Sequence, residues 1–162
     1  MAITVRAARS SDLDTVVALR LALLREHQSN PLFERLHPDA PGRARDLYRG
    51  HLGSPDQVIL LAERDGVPVG ILRCVHAVSS PLLLPEAYGY MSSAYVIPGE
   101  RRMGILKALF DEGVAWCRTR GLTEVRLYVS IGDEVARCAW SSFGFDAVEE
   151  LRIHRFPPAD GD

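Results

Sequence analysis

The chain lacks most of the features that mark a function at sight. It has three cysteines in 162 residues, Cys74, Cys117 and Cys138, odd in number and widely spaced. No C-x-x-C pair exists, so neither a zinc site nor a disulfide framework is expected, and all three read as small buried apolar residues. No run approaches the roughly 18 apolar residues that cross a bilayer. The N-terminal Met-Ala-Ile-Thr-Val-Arg lacks the apolar segment of a signal peptide, so a cytoplasmic location without membrane partners is expected. An excess of either charge is also missing. The formal net charge of −2 offers no bulk attraction to nucleic acid. The glycines and Lys-Ser/Thr pair of dinucleotide and nucleotide loops are absent. Cys74 and His76 share a strand face, but no strand-to-helix nucleophile turn accompanies them, which argues against a thiol hydrolase. No repeat, low-complexity tract or linker breaks the chain.

What is present suits a globular domain. The chain is 47% hydrophobic and 25% charged, and its length suits one core, so residues 1–162 read as a single domain with a frayed tail over 157–162. Ile3, Val5 and Ala7 alternate with polar residues as a first strand. Ser11 with Asp14 resembles a capping box, and Leu13, Val16, Val17, Leu21 and Leu24 then line a helix to about His27. Residues 31–56 are punctuated by proline and glycine, with a short helix expected over 43–51. The segment reads as a binding loop or lid on the substrate side. Residues 57–63 and 67–78 form a hairpin around Asp65-Gly66. The leucines between Pro81 and Pro85 suit either a homodimer or substrate surface or a core contact. Residues 88–97 are a fourth strand, 124–129 a fifth, 133–142 a short helix, and 147–156 one or two final strands. Hairpins mixed with one βαβ crossover imply an α/β fold, a mixed sheet with helices on its faces.

The chain is organised around residues 94–110. Tyr95, Val96 and Ile97 end a strand, Pro98-Gly99 turns, and from Arg102 the residues Leu106, Leu109, Phe110, Gly113, Val114 and Cys117 make a helical stripe. Arg118 and Arg120 suit the last turn and Gly121 the C-cap. A strand that feeds a helix N-terminus makes an anion site, because the first amides lack helical partners and the dipole adds positive potential.

Two motifs here resemble the GCN5-related N-acetyltransferase superfamily. One is Val96-x-Pro98-x-x-Arg101-x-x-Gly104-Ile105-Leu106, similar to the family's Gln/Arg-x-x-Gly-x-Gly/Ala loop. It departs at Leu106, where the family has a small residue, and at Arg102, where many members have glycine. The other is Asp133-x-x-Ala136-x-x-x-Trp140-x-x-x-Gly144-Phe145, similar to Asn-x-x-Ala-x-x-x-Tyr-x-x-x-Gly-Phe. The resemblance implies the acyl-CoA N-acyltransferase fold, with a central mixed sheet of six to seven strands flanked by helices. It implies an enzyme that moves an acetyl group from acetyl-CoA directly to a primary amine of a small molecule or peptide, without a metal. Amides of Arg102, Met103, Gly104, Ile105 and Leu106 would cradle the pyrophosphate, with Arg101 and Arg102 adding charge. The backbone of Ala94, Tyr95 and Val96 would take pantetheine by strand addition. Asp133, Arg137 and Trp140 would border its thiol end or the arm itself.

The resemblance leaves the proton chemistry open. Many members protonate the thiolate with the tyrosine that stands where this chain has Trp140, and an indole has no proton to give. Water, or a hydroxyl such as Tyr128, Ser130 or Ser141, would then serve; otherwise the chain is a non-catalytic CoA-binding module. Trp140 itself reads better as a wall. Glu86 and His76 are the candidate bases. Alternation puts Tyr88, Tyr90, Ser92 and Ala94 on one face and Met91, Ser93 and Tyr95 on the other, so Tyr90 and Ser92 are candidates for the acceptor pocket.

Overall fold

The computed structural model describes residues 2–160. Its elements run β1 (Ile3–Ala7), α1 (Leu13–Glu26), α2 (Ala40–Leu52), β2 (Gln57–Arg64), β3 (Val67–Val78), β4 (Ala87–Val96), α3 (Ile105–Thr119), β5 (Val125–Arg126) and α4 (Glu134–Ser142). The strands form one five-stranded sheet in the order β1-β2-β3-β4-β5. The first four are antiparallel neighbours, and β5 lies parallel to β4.

The sheet is covered on both faces, and strand periodicity sorts the side chains between them. On β3, Ile71 packs with Val16, Val17, Leu21 and Tyr48 beneath α1 and α2. Leu72 and Cys74 pack with Met91, Ile105 and Leu109 beneath α3. Helix α3 buries Ile105, Leu109, Gly113 and Cys117, one residue per turn. It closes at Gly121, φ +75, where the Leu122 amide returns to the Cys117 carbonyl at 3.1 Å. Burial pushes the Cys74 thiol up to about 12, so it is an inert core group.

Several sequence expectations change. The sheet has five strands among the described residues rather than six to seven. Residues 147–156 form no ladder: Val148, Leu151 and Phe156 are exposed, and the edge strand β5 is only two residues long. Strand propensity without an edge to pair with makes an extended segment, not a strand. Arg155 ties that segment to the Pro31 carbonyl at 3.0 Å and to Glu34 at 2.7 Å. Residues 157–160 are exposed and irregular, and 161–162 of the expected frayed tail lie outside the described residues. Helix α2 is longer than expected, because Pro41 fits its first turn. The turn before α1 is closed by Asp12, which accepts the Arg9 amide at 2.7 Å, and not by Asp14, which pairs with Arg45. Cys138 is exposed, on the outer face of α4, opposite buried Trp140.

Candidate active site

Strands β4 and β5 make a fork. They pair only at Gly89 with Val125 and Tyr90 with Arg126. A Cβ on Gly89 would stand 2.6 Å from the Cys117 sulfur and 2.9 Å from a Val125 methyl, so only glycine lets α3 and β5 close on β4 there. Beyond Tyr90 the two strands part, which leaves one edge of β4 unpaired through Val96. The parting coincides with a bulge. The β3 register runs from Arg73 opposite Ser92 to Ile71 opposite Tyr95, so Ser93 and Ala94 share the space of one residue. Ser93 takes φ +57, in the left-handed region. The extra residue inverts the alternation. Tyr95 joins the core under α1, while Ala94 and Val96 join Met91 under α3, which corrects the two-face assignment read from simple alternation.

The open edge ends at a loop that turns its amides outward. Arg102 has φ +63 and Gly104 φ +78, on either side of Met103. Among the described residues, no amide from 102–107 donates to a protein acceptor; the first helical bond is Ala108 N to Gly104 O at 3.0 Å. These amides, at the positive end of a 15-residue helix, are donors suited to an anion such as a pyrophosphate.

A cavity of about 180 Å³ opens beside the fork. The bulge residues Ser92, Ser93 and Ala94 form its floor, with Tyr90 and Met91. Leu127, Tyr128 and Ser130 form the β5 side, Asp133 and Trp140 the α4 side, and Arg20, His27 and Phe33 the opposite rim. Trp140 is buried among Phe110, Phe143 and Phe145, with ring centroids 5.5 to 6.3 Å away. The Tyr90 and Tyr128 rings meet edge to face at 6.0 Å. Burial pushes the Tyr90 phenol up, and nearby Tyr128 adds to the shift, so Tyr90 stays protonated as a donor.

Comparison with known proteins agrees with this arrangement. A profile of the acetyltransferase (GNAT) family matches residues 21–145. The chain belongs to the GNAT acetyltransferase family. It is thus an N-acetyltransferase by family. Over 112 residues it is 24% identical to aminoglycoside N(6')-acetyltransferase type 1 of Klebsiella aerogenes, which covers 69% of this chain and 74% of that protein. Its fold matches a predicted acetyltransferase from Clostridium acetobutylicum solved with acetyl-CoA, with a TM-score of 0.78 at 17% identity over 95% of this chain and 96% of that one. It also matches AAC(6')-Iy in complex with the bisubstrate analog CoA-S-monomethyl-acetylneamine, with a TM-score of 0.75 at 17% identity over 97% and 99% of the two chains.

Within this GNAT domain the residues expected from sequence separate into groups. Ala94, Asp133 and Trp140 line the cavity, while Tyr95 and Val96 continue the open edge of β4. The backbone of Arg102, Met103, Gly104, Ile105 and Leu106 forms the outward loop. Arg101 points the other way. Its Nε donates to the Val96 carbonyl at 2.8 Å, and its two terminal nitrogens clasp Glu26 at 2.7 Å each. It joins the end of β4 to α1 and leaves Arg102 as the arginine free beside the loop. Asp133 caps α4 by accepting the Ala136 amide at 3.0 Å. Arg137 is exposed and bonds Glu134 and the Ile131 carbonyl.

The two expected bases fall outside the cavity. His76 lies on the α3 side of the sheet, where its Nδ1 accepts from Arg120 at 3.1 Å. Glu86 is exposed, on a separate surface cleft with the leucines of residues 82–84, which are also exposed and so make no core contact. Glu86 is expected just before the fourth strand and His76 on the third, and the length of β4 carries both to its far end, where His76 pairs with Gly89. The residues that sequence reasoning missed are Arg20, His27 and Phe33. They come from α1 and the following loop, a hundred residues from the β5 groups they face. The bond from Asn30 Nδ2 to Ser130 Oγ at 2.7 Å fastens the two sides together.

Proposed function

We propose that the chain works as a single N-acetyltransferase domain, taking acetyl-CoA as cosubstrate and a primary amine of a small molecule or peptide as acceptor. The observation that carries this reading is the continuity of the open β4 edge with the outward amides of residues 102–107. One surface thereby offers strand pairing to an amide-bearing arm and donors to a pyrophosphate. Loop residues Arg102, Met103, Gly104, Ile105 and Leu106 hold the anion. Ala94, Tyr95 and Val96 hold the arm, and Asp133, Arg137 and Trp140 border its thiol end.

In the reaction the amine nitrogen bonds to the acetyl carbon as the carbon–sulfur bond breaks. The nitrogen loses a proton and the thiolate gains one. Amides at the Ser93–Ala94 bulge would donate to the carbonyl oxygen as it gains charge. The hydroxyls of Tyr90, Tyr128 and Ser130 supply protons in place of the missing tyrosine. His27, with Nδ1 3.9 Å from Asp133, is the imidazole at the cavity rim and replaces His76 and Glu86 as the base.

The test is incubation with acetyl-CoA and a panel of amines, with release of free thiol followed. Thiol release that depends on an amine supports the reading. CoA binding without release for any amine would leave a CoA-binding module, the alternative that Trp140 suggests. Absence of a thermal shift with CoA would remove the site altogether.

A further inference from the structure

Five arginines are half-buried among the described residues: Arg6, Arg20, Arg64, Arg73 and Arg120. Three of them meet carboxylates. Arg6 pairs with Asp12 and Glu63, Arg64 with Glu100, and Arg120 with Asp56. Arg20 and Arg73 meet none. Arg20 gives its Nε to the Tyr48 hydroxyl at 2.9 Å, and among the described residues its terminal nitrogens have no protein acceptor. Arg73 bonds the Gln57 side-chain oxygen at 2.7 Å and Ser92 Oγ at 3.3 Å. Both partners are neutral. Burial, chiefly, pulls Arg73 below its ordinary value, and the Arg20 charge acts in the same direction.

Partial burial of two like charges without a counterion is unfavourable, and here one of the two, Arg20, lines the cleft while Arg73 reaches it through Ser92. Arg20 lines the cavity, and so do Tyr90 and Ser92, the latter in the grip of Arg73. The carboxylates nearest the rim are already committed. Glu26 is clasped by Arg101, and Asp133 caps α4 beside His27. His51, packed edge to face on Tyr48, adds no negative charge. Arg20 thus brings a cation to the lining, across from the Asp133 carboxylate that caps α4, and Arg73 stands behind Ser92.

We propose that Arg20 and Arg73 form an anion-recognition subsite, and that the acceptor amine carries a carboxylate or phosphate, as an amino acid, a short peptide or a phosphoamine does. This inference rests on the acetyltransferase reading above. A guanidinium presents a fork of donors matched to such an oxyanion. The same two charges repel an acceptor with several ammonium groups. The cavity size, about 180 Å³, suits an amino acid or dipeptide.

The test compares thiol release from amino acids, dipeptides and phosphoethanolamine with release from amino-acid amides, a simple diamine and an aminoglycoside. Anionic acceptors should exceed their neutral counterparts about tenfold or more in kcat/KM, the worth of a hydrogen bond to a charged group. Arg20→Gln and Arg73→Gln should each remove most of that preference through KM, with the affinity for CoA retained. Arg20→Lys should retain part of it. The ratio of carboxylate to phosphate acceptors identifies which anion is read. Equal rates for acids and amides, or a best rate with the aminoglycoside, would overturn the subsite while leaving the acetyltransferase reading intact. If no amine releases thiol, titration of N-acetyl amino acids against their amides in the presence of CoA reads the same preference without turnover. Equal binding there would overturn the subsite as well. Failure to bind CoA would instead sink the underlying reading.

Discussion

The two sides of the cleft are built from different materials. The side proposed for acetyl-CoA is backbone: the open edge of β4, the bulge at Ser93 and the free amides of residues 102–107. The opposite side is made of side chains, with Arg20, His27 and Phe33 facing Tyr90 and Ser92. Backbone recognition asks only that the chain take a particular path, and few residues are needed to fix that path. Side-chain recognition depends on which residue each helix happens to present. The first side should therefore fail when the path is disturbed, and the second when a single charge is removed, as the Arg20 and Arg73 variants test.

The largest effect is expected from Gly104→Glu. A Cβ at Gly104 meets nothing within 4 Å, so the substitution causes no clash within the protein. Its cost to folding is the left-handed backbone, about 1–2 kcal/mol for a residue with a side chain. Its cost to binding is a carboxylate placed among the loop amides, which should weaken CoA by about a hundredfold or more, the loss of charge-assisted contacts together with repulsion. Gly104→Ala carries the same backbone cost without the charge and separates the two. Titration calorimetry with CoA reads the affinity, and thermal melts read the folding. Near-normal CoA affinity in the glutamate variant would show that the loop is not the pyrophosphate site.

Gly89→Ala strikes where both sides are hinged. The added methyl would meet the Cys117 sulfur and Val125, and overpacking of this kind costs about 1–3 kcal/mol. The melting temperature should fall, and turnover should fall with it, because β5 carries Tyr128 and Ser130 with it when it is displaced. Unchanged stability and rate would mean that the fork is not fixed at Gly89.

The contrast in materials also explains what was legible in the sequence. The order of elements could be read because hydrophobic periods of two and 3.6 alternate clearly along the chain. The loop could be read because Arg101 and Gly104 mark a backbone path. The left-handed Ser93 could not, since serine carries no signal for that conformation, and it was Ser93 that inverted the faces of Ala94 and Tyr95. Residues 147–156 carry strand-forming residues such as Val148, Ile153 and Phe156, yet a ladder needs an edge, and sequence cannot show that β5 stops at Arg126. Arg20 and Arg73 looked like ordinary members of an arginine-rich chain. Their meaning lies in the absence of carboxylates around them, which is a property of the packed structure.

A smaller effect is expected from Glu26→Gln, which cuts the tie between α1 and the end of β4. The pair is partly exposed, so its contribution is about 0.5–1 kcal/mol. It should be pH-dependent. Hydrogen bonding to Arg101 holds the Glu26 carboxyl below the usual glutamate range. The folded state therefore binds that proton less readily than the unfolded state. The contribution is present at neutral pH and drains away as pH falls through and below about 4.3, the ordinary glutamate value. Chemical denaturation from pH 7 to pH 3 should show a shallower acid loss in the variant than in the parent. Parallel curves would mean that Arg101 does not depend on Glu26.

The smallest effect is expected where the two sides meet, at Trp140. Trp140→Tyr restores the hydroxyl that many GNAT members use, in a ring still packed against Phe110 and Phe145. A thiolate is a stable leaving group at neutral pH, and the hydroxyls of Tyr90, Tyr128 and Ser130 are already at the cavity. Turnover with the best acceptor should therefore change by less than about threefold, well below the ~100-fold or more of an essential general acid. Stopped-flow measurement of thiol release at saturating amine decides the point. A rise of tenfold or more would show that proton delivery limits this enzyme, and that the side-chain half of the cleft, rather than the backbone half, sets its rate.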